Sequence, residues 1–142
     1  MTEKISNIEL IKLAKEVLNP IMIGSDWHGD VASALVTGKG NVYRGVCVDA
    51  GSAVGFCAER AAIAQMFANG EQKVEKIVAV WNNNPEEDLY VLPPCGACRH
   101  FMLQRCEDAL EIDVVLSSQK NATLRELYPY NEWPEKEETT LL

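Results

Sequence analysis

The stretch "KIVAVWN", Lys76–Asn82, is the one on which the fold turns. It is short, apolar and rich in β-branched residues, and "NNPEED" follows it as an exposed turn, so it reads as a strand buried on both faces. Upstream, "CAERAAIAQMFA" from Cys57 to Ala68 has helical spacing and stops at Asn69-Gly70. Downstream, "LYVLPP" is a short extended segment, and Cys95 to Leu110 reads as the next helix. "IDVVLSS" (Ile112–Ser118) then reads as a strand and "TLRELYP" as a short last helix. Further upstream, "VASALVT" (Val31–Thr37) and "VYRGVCVDA" (Val42–Ala50) flank "GKGN", the pattern of a hairpin. Before them, Ile8, Ile11, Ala14, Val17 and Leu18 share one helical stripe, ended by Asn19-Pro20. Strands separated by helices imply parallel neighbours, and the hairpin adds an antiparallel edge. The expected fold is a three-layer α/β/α sandwich on a mixed β-sheet.

At 142 residues the chain is the size of one domain. Residues 1–134 read as that domain, and 135–142 as an acidic, mobile tail. The 21 acidic and 13 basic residues give a formal net charge of −8. Such a surface repels phosphate backbones, which argues against DNA or RNA and suits a neutral or cationic small molecule. The opening residues carry charges throughout, unlike a signal peptide, and no apolar run is long enough to span a membrane. The expected compartment is the cytoplasm. Five cysteines stay reduced there, and close pairs serve metal binding or catalysis rather than disulfides.

Two of those cysteines, Cys95 and Cys98, fall on the first turn of one predicted helix; a third, Cys57, opens another after the loop "GSAVG". Helix N-termini favour thiolate over thiol. Positions 95 and 98 share a helix face, so both sulfurs reach one ion. A third sulfur from Cys57 makes three protein ligands with one tetrahedral position left over, the arrangement of a catalytic zinc. A zinc of that kind makes water nucleophilic near neutral pH. Glu59 is placed to take the proton of that water. Arg60, one turn past Cys57, can offset the negative charge of three sulfurs. On spacing alone two other readings stay open: a redox pair, and a closed structural zinc with Cys47, His100 or Cys106 as fourth ligand. His100 and Cys106 lie more than a turn beyond Cys95. Cys47 sits mid-strand, where a small core residue is ordinary.

"CAER" followed by "PCGACR" resembles the C-A-E…P-C-x-x-C signature of the zinc-dependent cytidine deaminases. "GNVYRG", "CAERAAI", "PCGACRHFM" and "LRELYP" are similar, in the same order, to segments of the short, tetrameric members of that family. Together they cover most of Val31 to Pro129. The resemblance implies one Zn2+ per subunit on Cys57, Cys95 and Cys98, with Glu59 as the catalytic proton shuttle and Arg60 beside the sulfurs. It also implies that backbone groups around Ala58 hold the exocyclic amine and N3 of the base, and that a homotetramer shares its sites between subunits. The implied reaction converts the cytosine of a free nucleoside, cytidine or deoxycytidine, to uracil with release of ammonia.

The departures from that family concern substrate. Its members carry N-x-E-N on the second strand to bind ribose; here the stretch is "CVDAGS", with Cys47 for the Asn and Asp49 for the Glu. Losing a polar partner for a sugar hydroxyl costs about 1–3 kcal/mol, ten- to a hundredfold in affinity. An aromatic residue before the first strand is replaced by Gly29, with Trp27 and His28 nearby. "VASAL" and "LRELYPYNEW" lean toward the related blasticidin S deaminases, in which case Tyr130 and Trp133 project into a neighbour's pocket or pack the subunit contact. Arg60 leans the other way, since that branch has leucine there. The alternative substrate is therefore a cytosine nucleoside analogue such as blasticidin S. A reading from a different class is a non-catalytic, zinc-stabilised domain that binds nucleosides or partners. That reading requires a closed four-ligand site and tolerance of Glu59→Ala.

Overall fold

The computed structural model describes residues 3–82, 84, 86–132 and 134–141. Helix α1 (Asn7–Lys15) starts at Ser6, whose hydroxyl accepts from the Glu9 amide at 3.1 Å, a side-chain cap. It ends three residues short of the expected Leu18. Next comes a two-stranded ribbon, β1 (Ile21–Ile23) and β2 (Asp26–His28), that the apolar periodicity did not reveal. Strands β3 (Val31–Thr37) and β4 (Val42–Val46) form the expected hairpin. Past Val46 the second strand survives only as a bridge between Val48 and Phe56. Helix α2 (Ala58–Ala68), strand β5 (Val74–Trp81), strand β6 (Tyr90–Leu92) and helix α3 (Gly96–Arg105) follow.

The third helix stops well before Leu110. Cys106 is extended, Asp108 adopts a left-handed φ of +49°, and a single 3-10 turn spans Ala109–Glu111. Strand β7 (Asp113–Val115) is shorter than "IDVVLSS" suggested and pairs with β8 (Asn121–Thr123), a strand too polar to be read in sequence. Helix α4 (Leu124–Leu127) carries a full capping box between Thr123 and Glu126. A last 3-10 turn lies at Thr139–Leu141.

The main sheet runs β4-β3-β5-β7-β8, with β6 also on β5. Strand β3 pairs along one edge of β5, from Val31 opposite Trp81 to Thr37 opposite Val74. On the other edge β7 takes Lys76–Ile77 and β6 takes Ala79–Trp81. Parallel neighbours are fewer than expected: among the described residues β5–β7 is the one parallel pair. The reason is geometric. The α2 crossover does join two strands of the same direction, β4 and β5, but β3, antiparallel to both, lies between them.

Alternation along the strands builds the three layers. Ala32, Ala34, Val78, Val80 and Val115 face α1, packing on Leu10 and Ala14. Leu35, Ile77 and Val114 face the opposite layer, which includes Ala62, Ile63 and Met66 of α2, Met102 of α3 and Leu124 of α4. Strand β4 lies close on α2: a Cβ on Gly45 would stand 2.5 Å from the Ala62 amide nitrogen and 2.6 Å from the Ala61 methyl. Small residues on both sides permit that approach, and it fixes where α2 begins.

Candidate metal centre and its cavity

Both helices that carry the cysteines begin at one of them. Cys57 is the residue before α2 and Cys95 the residue before α3; both are extended, and neither side chain caps its helix. Their sulfurs therefore remain available. Cys98 sits in the first turn of α3, fully buried. The three Sγ atoms lie within 4.8 Å of one another, and the Cys57–Cys95 pair is 3.6 Å apart. Sulfurs held at about 2.3 Å around a tetrahedral zinc stand about 3.8 Å apart, so this donor set fits that ion. Among the described residues no further His, Cys, Asp or Glu joins the three within that range. His100 is engaged elsewhere, with the Tyr128 hydroxyl at 2.9 Å. Cys106 belongs to the core, where burial pushes its thiol up to about 11. The closed structural zinc is thus not what these side chains form.

Glu59 lies in the first turn of α2, only 5% exposed, with the Cys98 thiol 3.8 Å from its Oε2. Burial raises its carboxyl above the ordinary range, while its own backbone amide, Cys98 and Arg60 pull it back. The Arg60 Nη2 approaches Cys57 Sγ at 3.9 Å; its Nε is buried with no hydrogen-bond partner. Burial also raises the Cys98 and Cys57 thiols. Cys95 is the exception: burial raises it too, but bonds from the Cys98 backbone, Cys98 and Cys57 bring it below its ordinary value. Metal binding to such a set releases protons and is itself favoured by rising pH.

The cluster opens on a cavity of about 470 Å³. Cys57, Ala58, Glu59, Arg60 and Cys95 line one end, and Phe56, Leu92 and Pro93 form apolar walls. Asp30, Cys47, Asp49 and the loop residues Ala50, Ala53 and Gly55 line the rest. Cys47 and Asp49 thus line the same cavity as the sulfurs. Cys47 is 7% exposed and donates to Asp30 Oδ1 at 3.3 Å, while Trp81 Nε1 donates to Asp30 Oδ2 at 3.1 Å. Asp30 was not singled out in sequence. It is the residue before β3, next to the end of β4, and only that strand register brings it to Cys47.

Other expectations fare differently. Tyr130 is fully exposed and lies outside the cavity lining, and Trp133 falls outside the described residues. His28 reaches Asp49 through its backbone, accepting from the amide at Nδ1 at 3.1 Å, but neither His28 nor Trp27 lines the cavity. Gly29 cannot be aromatic here: its φ is +67°, and a Cβ would stand 2.4 Å from the Asn19 carbonyl oxygen.

Residues 6–111 match the family described as the cytidine and deoxycytidylate deaminase zinc-binding region. A cytidine deaminase of Halalkalibacterium halodurans is 34% identical over 77 residues, 54% of this chain and 54% of that protein. A probable cytidine deaminase of Dictyostelium discoideum is 33% identical over 75 residues, 52% of this chain and 48% of that one. The chain thus spans about half the length of the curated relatives it matches. Among solved structures, the cytidine deaminase of Burkholderia pseudomallei superposes with a TM-score of 0.70 at 28% identity, covering 89% of this chain and 98% of that one. The enzyme of Mycobacterium leprae gives 0.72 at 23% identity over 89% and 99%, a likeness of fold. The family match takes in all three sulfurs and the glutamate between them in the cavity, and on that ground the chain belongs to the cytidine and deoxycytidylate deaminase zinc-binding family.

Proposed function

We propose that this protein is a zinc-dependent hydrolytic deaminase that converts the cytosine of a free nucleoside to uracil, with water consumed and ammonia released. The observation that carries the reading is Glu59, a buried carboxylate beside three sulfurs placed to ligate a metal, with no fourth protein ligand among the described residues. A non-catalytic zinc clamp has no use for it.

Cys57, Cys95 and Cys98 would hold zinc, which when bound would supply an activated water at the sulfur-lined end of the cavity. The chain's own groups do the rest. Glu59 takes a proton from the water that attacks C4 and passes it to N3; it then takes the proton of the new C4 hydroxyl and passes it to the amine, which leaves as ammonia as the C4 carbonyl forms. Arg60, with Nη2 3.9 Å from Cys57 Sγ, offsets part of the negative charge that three thiolates gather at this end of the cavity. Backbone groups at Ala58 hold the exocyclic amine and N3 in line. Phe56, Leu92 and Pro93 wall the ring on its apolar side and exclude bulk water.

Cytidine and deoxycytidine are the first substrates, with the sugar directed toward Cys47 and Asp49. One observation favours a second reading, a cytosine nucleoside analogue such as blasticidin S. Asp30 and Asp49 each bring a carboxylate within 4.8 Å of the Cys47 sulfur, where the family's amide is missing. Two carboxylates that close suit a substituent richer in positive charge or donors than ribose. We also propose a cytoplasmic homotetramer with sites shared between subunits. Exposed Val48, Val54 and Phe56 beside the cavity support it, as do five unpaired cysteines.

The test is ammonia release by the zinc-loaded protein with cytidine, deoxycytidine, cytosine and blasticidin S in parallel. Turnover of either nucleoside establishes the first reading. Turnover of blasticidin S alone moves the substrate and keeps the chemistry. Silence on all four, with zinc bound, would sink both.

A further inference from the structure

The three sulfurs are held by different means. Cys98 is buried in the body of α3. Cys57 follows Phe56, whose amide and carbonyl both bond to Val48 in a two-way bridge, at 2.9 and 3.1 Å. Cys95 has neither support. It is exposed, and the two residues before it are prolines, which have no N–H to offer a neighbouring strand.

What holds it is one residue, through its backbone amide and its side chain. The Arg99 amide donates to the Cys95 carbonyl at 3.0 Å, as the first bond of α3, and Arg99 Nε donates to the Pro94 carbonyl at 2.8 Å. Both peptide planes that flank the Cys95 Cα are thereby fixed by the same residue. The far end of the guanidinium is fixed in turn: Nη1 donates to the Leu127 carbonyl at 2.6 Å. Leu127 ends α4, which is anchored by buried Leu124 and its capping box. Next door, the Tyr128 hydroxyl meets His100 of α3, their rings edge to face.

We infer that Arg99 is a positioning residue for the metal. It holds Cys95 against the other two sulfurs and couples metal retention to the docking of α4, whose Leu127 lies 28 residues downstream of Arg99 in the chain. The inference rests on the three-sulfur assignment. Lysine cannot replace the fork, since one ammonium does not span two carbonyls in fixed directions.

The experiment is zinc competition against a chromophoric chelator for the native protein, Arg99→Gln, Arg99→Lys and Arg125→Gln. Arg125 lies on α4, the helix that the Arg99 guanidinium reaches, but faces Glu111 at the surface, so it controls for loss of an arginine charge near that helix. Zinc affinity should fall about ten- to a hundredfold in Arg99→Gln, as for other groups that orient ligands, and by an intermediate amount in Arg99→Lys. Arg125→Gln should stay at the native value. The melting temperature of the zinc-loaded Arg99 variants should fall further than that of their metal-free forms. Equal losses in the two forms, or zinc affinity in both Arg99 variants within about twofold of native, would overturn the inference. Should Arg99→Gln fail to fold, Arg99→Lys carries the test alone. Failure of the native protein to bind zinc would overturn the metal assignment itself, and this inference with it.

Discussion

The two ends of the cavity are built in different ways. At the metal end, Cys57, Glu59 and Arg60 fall on or beside the first turn of α2, and Cys95 and Cys98 do the same for α3. Each half is a local spacing, and the two helices lie on one side of the sheet. The far end has no such kernel. Asp30 meets Cys47 across 17 positions and Trp81 across 51. The remaining wall is a loop in which Ser52 and Ala53 hold left-handed φ angles of +58° and +57°. Bond-making chemistry thus rests on short rigid spacings, whereas recognition rests on register and on loop conformation.

The sharpest way to test that division is Glu59→Gln. Ammonia release should fall on the order of a thousandfold, within the range for removing a general acid–base. Zinc content and the affinity for a uracil nucleoside product should stay near native. A parallel loss of product binding, read by calorimetry, would mean the two ends do not act separately.

Gly45→Ala strikes the joint between them, because β4 leads to Cys47 while the helix it lies against starts just after Cys57. The new methyl has no space, and overpacking should cost about 1–3 kcal/mol in urea unfolding of the zinc-loaded protein. An unchanged midpoint would show that β4 and α2 separate freely.

Cys47→Asn touches only the far end. Restoring an amide there should lower the cytidine KM about tenfold and leave kcat near native, since one added polar contact is worth about 1 kcal/mol or more. A change in kcat with no change in KM would break the comparison.

The smallest effect lies outside both ends. Glu71 is buried beneath the β3–β4 turn and accepts from Asn41 at 2.7 Å and Tyr43 at 2.8 Å. The Thr37 hydroxyl first, then Asn41 and Tyr43, hold its carboxyl below the ordinary 4.5. A depressed carboxyl stabilises the fold above its unfolded pKa, and that contribution is lost as pH falls through the folded value. Glu71→Gln should therefore flatten the fall of the melting temperature below about pH 4.5 and leave zinc binding at neutral pH untouched. Identical acid limbs would remove Glu71 from the account.

The same division explains what could be read from the sequence. The strand at "KIVAVWN", the hairpin and the start of both cysteine helices follow from apolar period, turn residues and stop signals. So does the sulfur cluster, because residues three apart on a helix share a face whatever surrounds them. Strand order does not follow from such signals. That β3 sits between β4 and β5, making the central pair antiparallel, depends on which edges meet in three dimensions. Asp30 escaped notice for that reason, since nothing within "HGDVAS" hints at a partner in Cys47. The ribbon β1–β2 and strand β8 are three residues each, too short for a period to show. The early end of α3 was hidden as well, because Cys106 to Leu110 is no worse a helix former than what precedes it.

The loop from Asp49 to Gly55 has one more implication. It supplies Asp49, Ala50, Ala53 and Gly55 to the cavity and none of the sulfurs. Its length and sequence can drift while the metal stays put, which makes it the segment through which a lineage would acquire a new substrate. A library of variants from Asp49 to Val54, sparing Gly55, where a Cβ would stand 2.7 Å from the Val48 carbonyl oxygen, would explore specificity at little risk to turnover.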